Sequence, residues 1–276
     1  MNGQSHNNRA IAVFDSGVGG LTVLKSLRER LPGENLLYLG DTARLPYGTK
    51  STRSIQRYAN QAASHLNRRD IKLLVIACNT ASAVALPELQ KTLTPLPVIG
   101  VVEPGAQTAV EQFPGGRHLV LATEATVTLG AYGDAIRRLD DKASVTEVAC
   151  EMLVALAEEG WATGNVAESI VKKYLQPFIA MEESIRPQSI ILGCTHFPIL
   201  KQAIRAVVGD DISIVDSADT TAAVVEKYLL DNNSARDGGE GSLHLLATDG
   251  AKRFARVGGS FLGTRLSVEN VELVDL

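Results

Sequence analysis

The sequence predicts an α/β protein built as two similar α/β lobes with mainly parallel sheets, and a functional site in the cleft between them. Three observations predict this. Short apolar runs alternate with longer amphipathic stretches, the pattern of strands joined by crossover helices. The alternation restarts after Val102. Cys78 and Cys194 each follow a short apolar run and precede a helix-like stretch, so two distant thiols share one local frame.

The elements follow in order. Residues 11–14 read as the first strand. Residues 20–31 read as a helix, with Leu21, Leu24, Leu27 and Leu31 on one face and Pro32-Gly33 as the stop. Residues 35–39 are a strand, 51–69 a polar-faced helix, 73–77 a strand and 98–101 a short strand. The second round gives strands at 119–122 and 144–148 around a helix at 128–139. Helices follow at 152–159 and 166–183, and a strand at 189–192 leads to Cys194. A helix at 199–208, a strand at 212–215 and a helix at 218–230 come next. Residues 232–241 are a polar, glycine-rich loop, and strands at 242–247 and 266–273 close the chain. The expected lobes are residues 1–102 plus 213–276, and residues 103–212 inserted between them.

Bulk properties narrow the function. The chain has 276 residues, 45% apolar and 21% charged, ample for a large core. A net charge of -4 with 5% aromatics offers neither a basic footprint nor stacking platforms, which argues against a nucleic-acid partner. No apolar run nears the roughly 20 residues of a membrane helix. Residues 1–9 are polar and lack a signal-peptide core. The expectation is a cytoplasmic protein with no membrane partner. Three cysteines, Cys78, Cys150 and Cys194, are too few and too dispersed for a disulfide framework.

The chemistry concentrates in loops after strands. A thiol at the carboxyl end of a parallel strand points at the usual ligand crevice, where a helix amino terminus favours the thiolate. Asn79, Thr80 and Thr195 place neutral polar groups beside the thiols, and His196 lies two residues past Cys194 as a proton partner. Asp15-Ser16-Gly17-Val18-Gly19-Gly20 is glycine-rich but is neither G-x-G-x-x-G nor a P-loop. Its glycines suit close approach to a small ligand, or simple turning. The loop from Gly40 through Asp41 and Tyr47 to Gly48 has the composition of a binding loop, or of a surface turn with Asp41 as a capping residue.

Bland and rival readings stand beside this one. A lone cysteine is usually a small buried hydrophobe, and Cys150, with no matching frame, reads as buried and inert. Two thiols in one frame favour paired work. Cys78, Cys194 and His196 are metal-capable, but no CxxC or HxxxH spacing accompanies them, so the expectation is no metal. A Cys-His hydrolase would leave one cysteine unexplained.

These motifs closely resemble the glutamate racemases of the aspartate/glutamate racemase superfamily. The markers run from Phe14 to Leu21, Gly40 to Gly48, Ala77 to Ser82, Glu103 to Gly105 and Leu192 to Pro198, with Ala247-Thr248-Asp249-Gly250 near the end. The resemblance implies a racemase without cofactor that interconverts L- and D-glutamate and supplies D-glutamate for peptidoglycan. It implies that Cys78 deprotonates D-glutamate and Cys194 deprotonates L-glutamate, with Asp15 and His196 supporting them respectively. Substrate contacts carried over are Asp15, Ser16, Tyr47, Gly48, Asn79, Thr80, Thr126, Thr195 and His196, with Asp41 and Glu158 as nearby acidic positions. It also implies a homodimer and a cell-wall precursor as activator. The alternatives are an aspartate or other amino-acid racemase of the superfamily, and a catalytically silent binding protein on the same scaffold. The chain departs from the family pattern after Cys150, where it reads Glu151-Met152-Leu153-Val154-Ala155-Leu156-Ala157-Glu158. It departs again at Glu124, whose charge must point away from an anionic substrate or alter its binding.

Overall fold

The computed structural model of this chain describes residues 7–276, so the first six residues of the polar tail lie outside the described residues. Its strands are β1 (Ala10–Asp15), β2 (Leu36–Gly40), β3 (Ile71–Ile76), β4 (Val98–Gly100), β5 (Arg117–Ala122), β6 (Ser144–Ala149), β7 (Ser189–Gly193), β8 (Ser213–Asp216), β9 (Leu243–Ala247) and β10 (Val271–Leu273). They form two sheets, ordered β10-β9-β2-β1-β3-β4 and β6-β5-β7-β8. Every pairing is parallel, as expected of strands joined by helices.

The pleat explains why the strands read as continuous apolar runs. In β1, Ile11 and Val13 enter one core while Ala12 and Phe14 enter another on the opposite face. A parallel sheet covered on both sides needs apolar residues at both parities. The helices that cover it start where the sequence supplies a cap. Ser51 caps the helix Thr52–Asn67 by accepting from the Ser54 amide. Cys78 occupies the same position for the helix Asn79–Thr92, its sulfur accepting from the Ala81 amide.

Several expectations need correction. β8 pairs with β7 in the second sheet, so the return to the first sheet comes after Asp216 rather than at 213. A short strand carries no mark of which sheet it joins. The helix expected at 128–139 begins only at Ala131, after Gly130 at φ 62, and an unexpected short helix, Glu124–Thr128, precedes it. The helix expected to reach 183 ends at Ile179. Of the final strand only Val271–Leu273 is extended, because Ser267 and Asn270 form a capping box around a 3-10 turn. The helices Val102–Gln112 and Ala251–Leu262 escaped the periodicity reading.

The two sheets are joined through their interior. Ile11, Val13, Leu73 and Val75 of the first sheet belong to the same continuous core as Leu119, Leu121, Ile190 and Leu192 of the second. The helix Leu21–Arg30 lies against the helix Ser217–Asp231 within this core, and Ser26–Asp219 and Arg30–Glu226 contacts stitch their outer edges. No helix of the described residues is long and apolar enough to cross a membrane.

At the mouth of the first sheet the loops pack backbone to backbone. A Cβ on Gly40 would lie 2.3 Å from the Gly17 carbonyl oxygen. Backbone cannot rotate aside as a side chain can. Gly40→Ala should therefore lower stability by roughly 1–3 kcal/mol or more, the usual cost of overpacking, read as a reduced denaturant midpoint. An unchanged midpoint would mean that the two loops can separate freely.

Candidate active site

The carboxyl ends of strands from both sheets open on one cavity, the expected crevice for a ligand in an open α/β sheet. Ser16 and Gly17 come from the loop after β1, residues 45–49 from the loop after β2, and Cys78, Asn79 and Thr80 from the turn after β3. From the second sheet come Thr123 after β5, Glu151, Val154 and Glu158 after β6, and Cys194, Thr195 and His196 after β7.

The glycine loop brings these ends together. A Cβ on Gly19 would sit 2.5 Å from His196 Nδ1 and from Thr195 Oγ1, and one on Gly20 would sit 2.6 Å from Asp15 Cβ. Thr22 donates its hydroxyl to the Thr195 carbonyl at 2.9 Å. The close approach expected of these glycines is thus made within the protein, by Gly19 to the opposite loop and by Gly20 to Asp15.

Cys78 and Cys194 are 6% and 5% exposed, enough to reach the cavity but little else. Burial pushes the Cys78 thiol up to about 12, and the Asp15 charge pushes the same way. The Ala81 amide and the Ser16 hydroxyl offset part of this by bonding the sulfur. Cys78 therefore rests as a thiol. Burial also raises the Asp15 carboxyl, against the His196 charge and the amides of Gly17, Gly20 and Ser16. Asp15 accepts from the Gly17 amide at 2.9 Å and from Thr195 Oγ1 at 3.5 Å, so it touches both sides of the cleft.

The Cys194 side is built differently. Its sulfur lies 3.7 Å from His196 Nδ1. His196 Nε2 meets Glu158 Oε1 at 3.1 Å, and Arg253 holds Glu158 Oε2 at 2.7 Å. Burial alone would lower the His196 pKa, but bonds to Cys194 and Glu158 and the nearby negative charges raise it to about 10. The hydrogen bond from His196 is the main reason that Glu158 is held down to about 2. At neutral pH the ring is an imidazolium paired with a carboxylate. Phe261 meets it edge-on at 5.3 Å.

Apart from Glu151, the remaining polar wall is neutral and rich in donors. Thr80, Thr123 and Thr126 hydroxyls form a triangle with sides of 3.1 to 3.3 Å. Tyr132 donates to Asn79 Oδ1 at 2.7 Å, and the buried Asn79 amide nitrogen has no hydrogen-bond partner among the described residues. Tyr47 donates to Asp41 Oδ2, and Arg44 and Thr248 complete the shell of that buried carboxylate. Burial and the Asp41 charge raise the Tyr47 pKa, so its hydroxyl stays protonated.

Of the residues the sequence nominated, Ser16, Tyr47, Gly48, Cys78, Asn79, Thr80, Glu158, Cys194, Thr195 and His196 line the cavity. Asp15, Asp41 and Thr126 lie behind the lining and act on it through hydrogen bonds. The sequence reading missed Thr123, Glu151, Val154 and Arg253. Thr123 sits in the same strand-end turn as Thr126 and was findable by that spacing. Arg253 carried no signal. Exposed Glu124 stays out of the cavity, and its amide donates to Glu151 Oε1 at 2.6 Å. Cys150 is buried at the start of the helix Glu151–Glu158 and does not line the cavity. Among the described residues no three His, Cys, Asp or Glu side chains group as a metal site.

The Asp/Glu/hydantoin racemase family matches residues 19–225. The chain is 46% identical over 259 residues to a glutamate racemase of Geobacter metallireducens, covering 94% of each sequence. It superposes on the crystal structure of glutamate racemase from Francisella tularensis in complex with D-glutamate with a TM-score of 0.88, at 35% identity and 98% coverage of both chains. It also superposes on Escherichia coli glutamate racemase in complex with L-glutamate and the activator UDP-MurNAc-ala, with a TM-score of 0.73, 31% identity and coverage of 92% and 95%.

The His196–Glu158 pair has a pH signature. Glu158, held near 2 against an ordinary 4.5, contributes stability that is complete above 4.5 and fades as pH falls toward 2. His196, raised to about 10 against 6.5, contributes stability that is complete below 6.5 and is lost as pH rises through 10. Both are whole only between 4.5 and 6.5. Glu158→Gln should therefore lie furthest below wild type in denaturant midpoint inside that window, with the gap narrowing on both sides. A gap that ignores pH would mean the pair is not charged in the folded protein.

Proposed function

The chain belongs to the Asp/Glu/hydantoin racemase family of isomerases, and from that membership we propose that it interconverts L- and D-glutamate by proton transfer between Cys78 and Cys194. One observation carries the mechanism. The two buried thiols end strands of different sheets yet line the same cavity, each with its own electrostatic support.

L-Glutamate would enter with its α-hydrogen toward Cys194. The thiolate there takes the α-proton, and the His196 imidazolium, itself anchored by Glu158, balances the sulfur's negative charge. Cys78, resting as a thiol, gives its proton to the opposite face of the carbanion, which yields D-glutamate. The Ala81 amide and the Ser16 hydroxyl receive the new Cys78 anion. Reversal starts from that second protonation state. A carbanion beside a carboxylate needs preorganised donors in a cleft with little water. The threonine triangle, the free Asn79 amide and the strand-end amides suit this need without a cofactor. Asp15, which contacts Thr195 and faces Cys78, ties the two states together.

The product fits supply of D-glutamate to peptidoglycan. By likeness to the E. coli relative, a UDP-linked wall precursor is the class of activator to examine.

The enantiomers have equal free energy, so kcat/KM must be the same in both directions for wild type and for every variant. In deuterated water, L-glutamate should racemise and gain an α-deuterium, followed by circular dichroism and NMR. A folded protein that gives neither exchange nor loss of ellipticity would end the proposal. Cys78→Ala and Cys194→Ala should each lose at least 10²–10⁴-fold in racemisation, the range for one acid-base group. Cys78→Ala should still exchange the α-hydrogen of L-glutamate slowly without inverting it, and Cys194→Ala that of D-glutamate. The opposite preferences would reverse the assignment of faces.

A further inference from the structure

We propose that Arg253 is a positioning residue for the Cys194 half of the site, acting across the cleft through Glu158; this rests on the racemase reading above. Arg253 lies on the helix Ala251–Leu262, which follows β9 of the first sheet. Glu158 ends the helix that follows β6 of the second sheet. Their 2.7 Å contact is therefore a bond between the two halves of the molecule, made at the rim of the cavity.

The contact completes a chain of polar atoms. Cys194 Sγ meets His196 Nδ1, His196 Nε2 meets Glu158 Oε1, and Glu158 Oε2 meets Arg253. Each oxygen of Glu158 has one partner, so the carboxylate plane is fixed from both ends. Without Arg253 only the His196 bond would hold Glu158, and the carboxylate could rotate with the partly exposed end of its helix. The imidazole would lose its fixed direction toward Cys194. Arg253 itself is held by its own helix: Phe254, the next residue, is buried against Tyr38 at 5.9 Å between rings. The same helix places Phe261 against the His196 ring. One element of the first sheet's lobe thus braces the acid-base pair of the second. On the Cys78 side the sulfur is met instead by the Ala81 amide and the Ser16 hydroxyl, with the Asp15 carboxyl nearby.

The test is a double-mutant cycle on the full chain, with Arg253→Met, Arg253→Lys, Glu158→Gln and Arg253→Met/Glu158→Gln. Methionine keeps the aliphatic stem and removes the fork of donors; lysine keeps the charge. Arg253→Met should lower kcat/KM about tenfold, equally for both enantiomers, as expected of a residue coupled to a neighbour. Arg253→Lys should recover most of that loss. In the Glu158→Gln background, Arg253→Met should cost less than about twofold, because its route to Cys194 is already cut. A loss of the same size in both backgrounds, which a packing defect would give, overturns the proposal, as does full activity of Arg253→Met. Wild-type protein inert toward both enantiomers would instead sink the racemase reading itself.

Discussion

The packing of the Gly19 backbone against Thr195 and His196 is the contact on which the rest of the site depends. No side chain fits between these loops, since a Cβ at Gly19 would meet both residues at 2.5 Å. The Thr22 hydroxyl then fixes the distance by bonding the Thr195 carbonyl. Only because the first sheet's opening loop can come this near does Asp15 reach Thr195, and only then do thiols from two sheets share one cavity. The interior core that runs from Val13 and Val75 to Leu121 and Leu192 holds the sheets at that separation from below.

The two thiols are alike in sequence frame and unlike in surroundings. Cys78 is desolvated, faces a carboxylate and rests protonated. Cys194 faces an imidazolium whose charge is secured by Glu158. Two groups whose environments differ in this way are the ordinary means of holding an acid and a base at one pH. Under the two-base mechanism proposed above, a reaction with no energetic preference for direction is served by a site whose two halves are electrostatically unlike. In that mechanism the reverse turnover would begin after the protons have changed places, not from a mirror image of the same state.

The alternation of β1 to β3 and the Cys78 and Cys194 frames was legible because a covered parallel strand leaves an unbroken apolar run and a strand end leaves polar punctuation. The family likeness added Asp15, Thr126 and Glu158, which spacing alone would not have chosen. What escaped had no local signature. β8 joins the second sheet by a pairing with β7 that its four residues do not announce. The helix Glu124–Thr128 has five residues, too few to show a helical period. The Arg253 contact spans 95 positions of sequence and depends on how two helices meet in space. Conversely, Glu124 stood out by its charge, yet it points outward and only its amide takes part.

The shared core also bears on how such a protein can be divided. Leu21, Leu24 and Leu27 on one helix and Ala218, Ala222 and Val225 on another bury one another across the boundary between the sheets. Neither segment would keep a dry surface if expressed without the other, so the halves are not interchangeable modules despite their likeness. A chimera that took residues 117–231 from a relative would inherit a foreign half of this seam as well as a foreign set of loops. Exchange is better confined to the strand-end turns, where the interior does not have to be matched again.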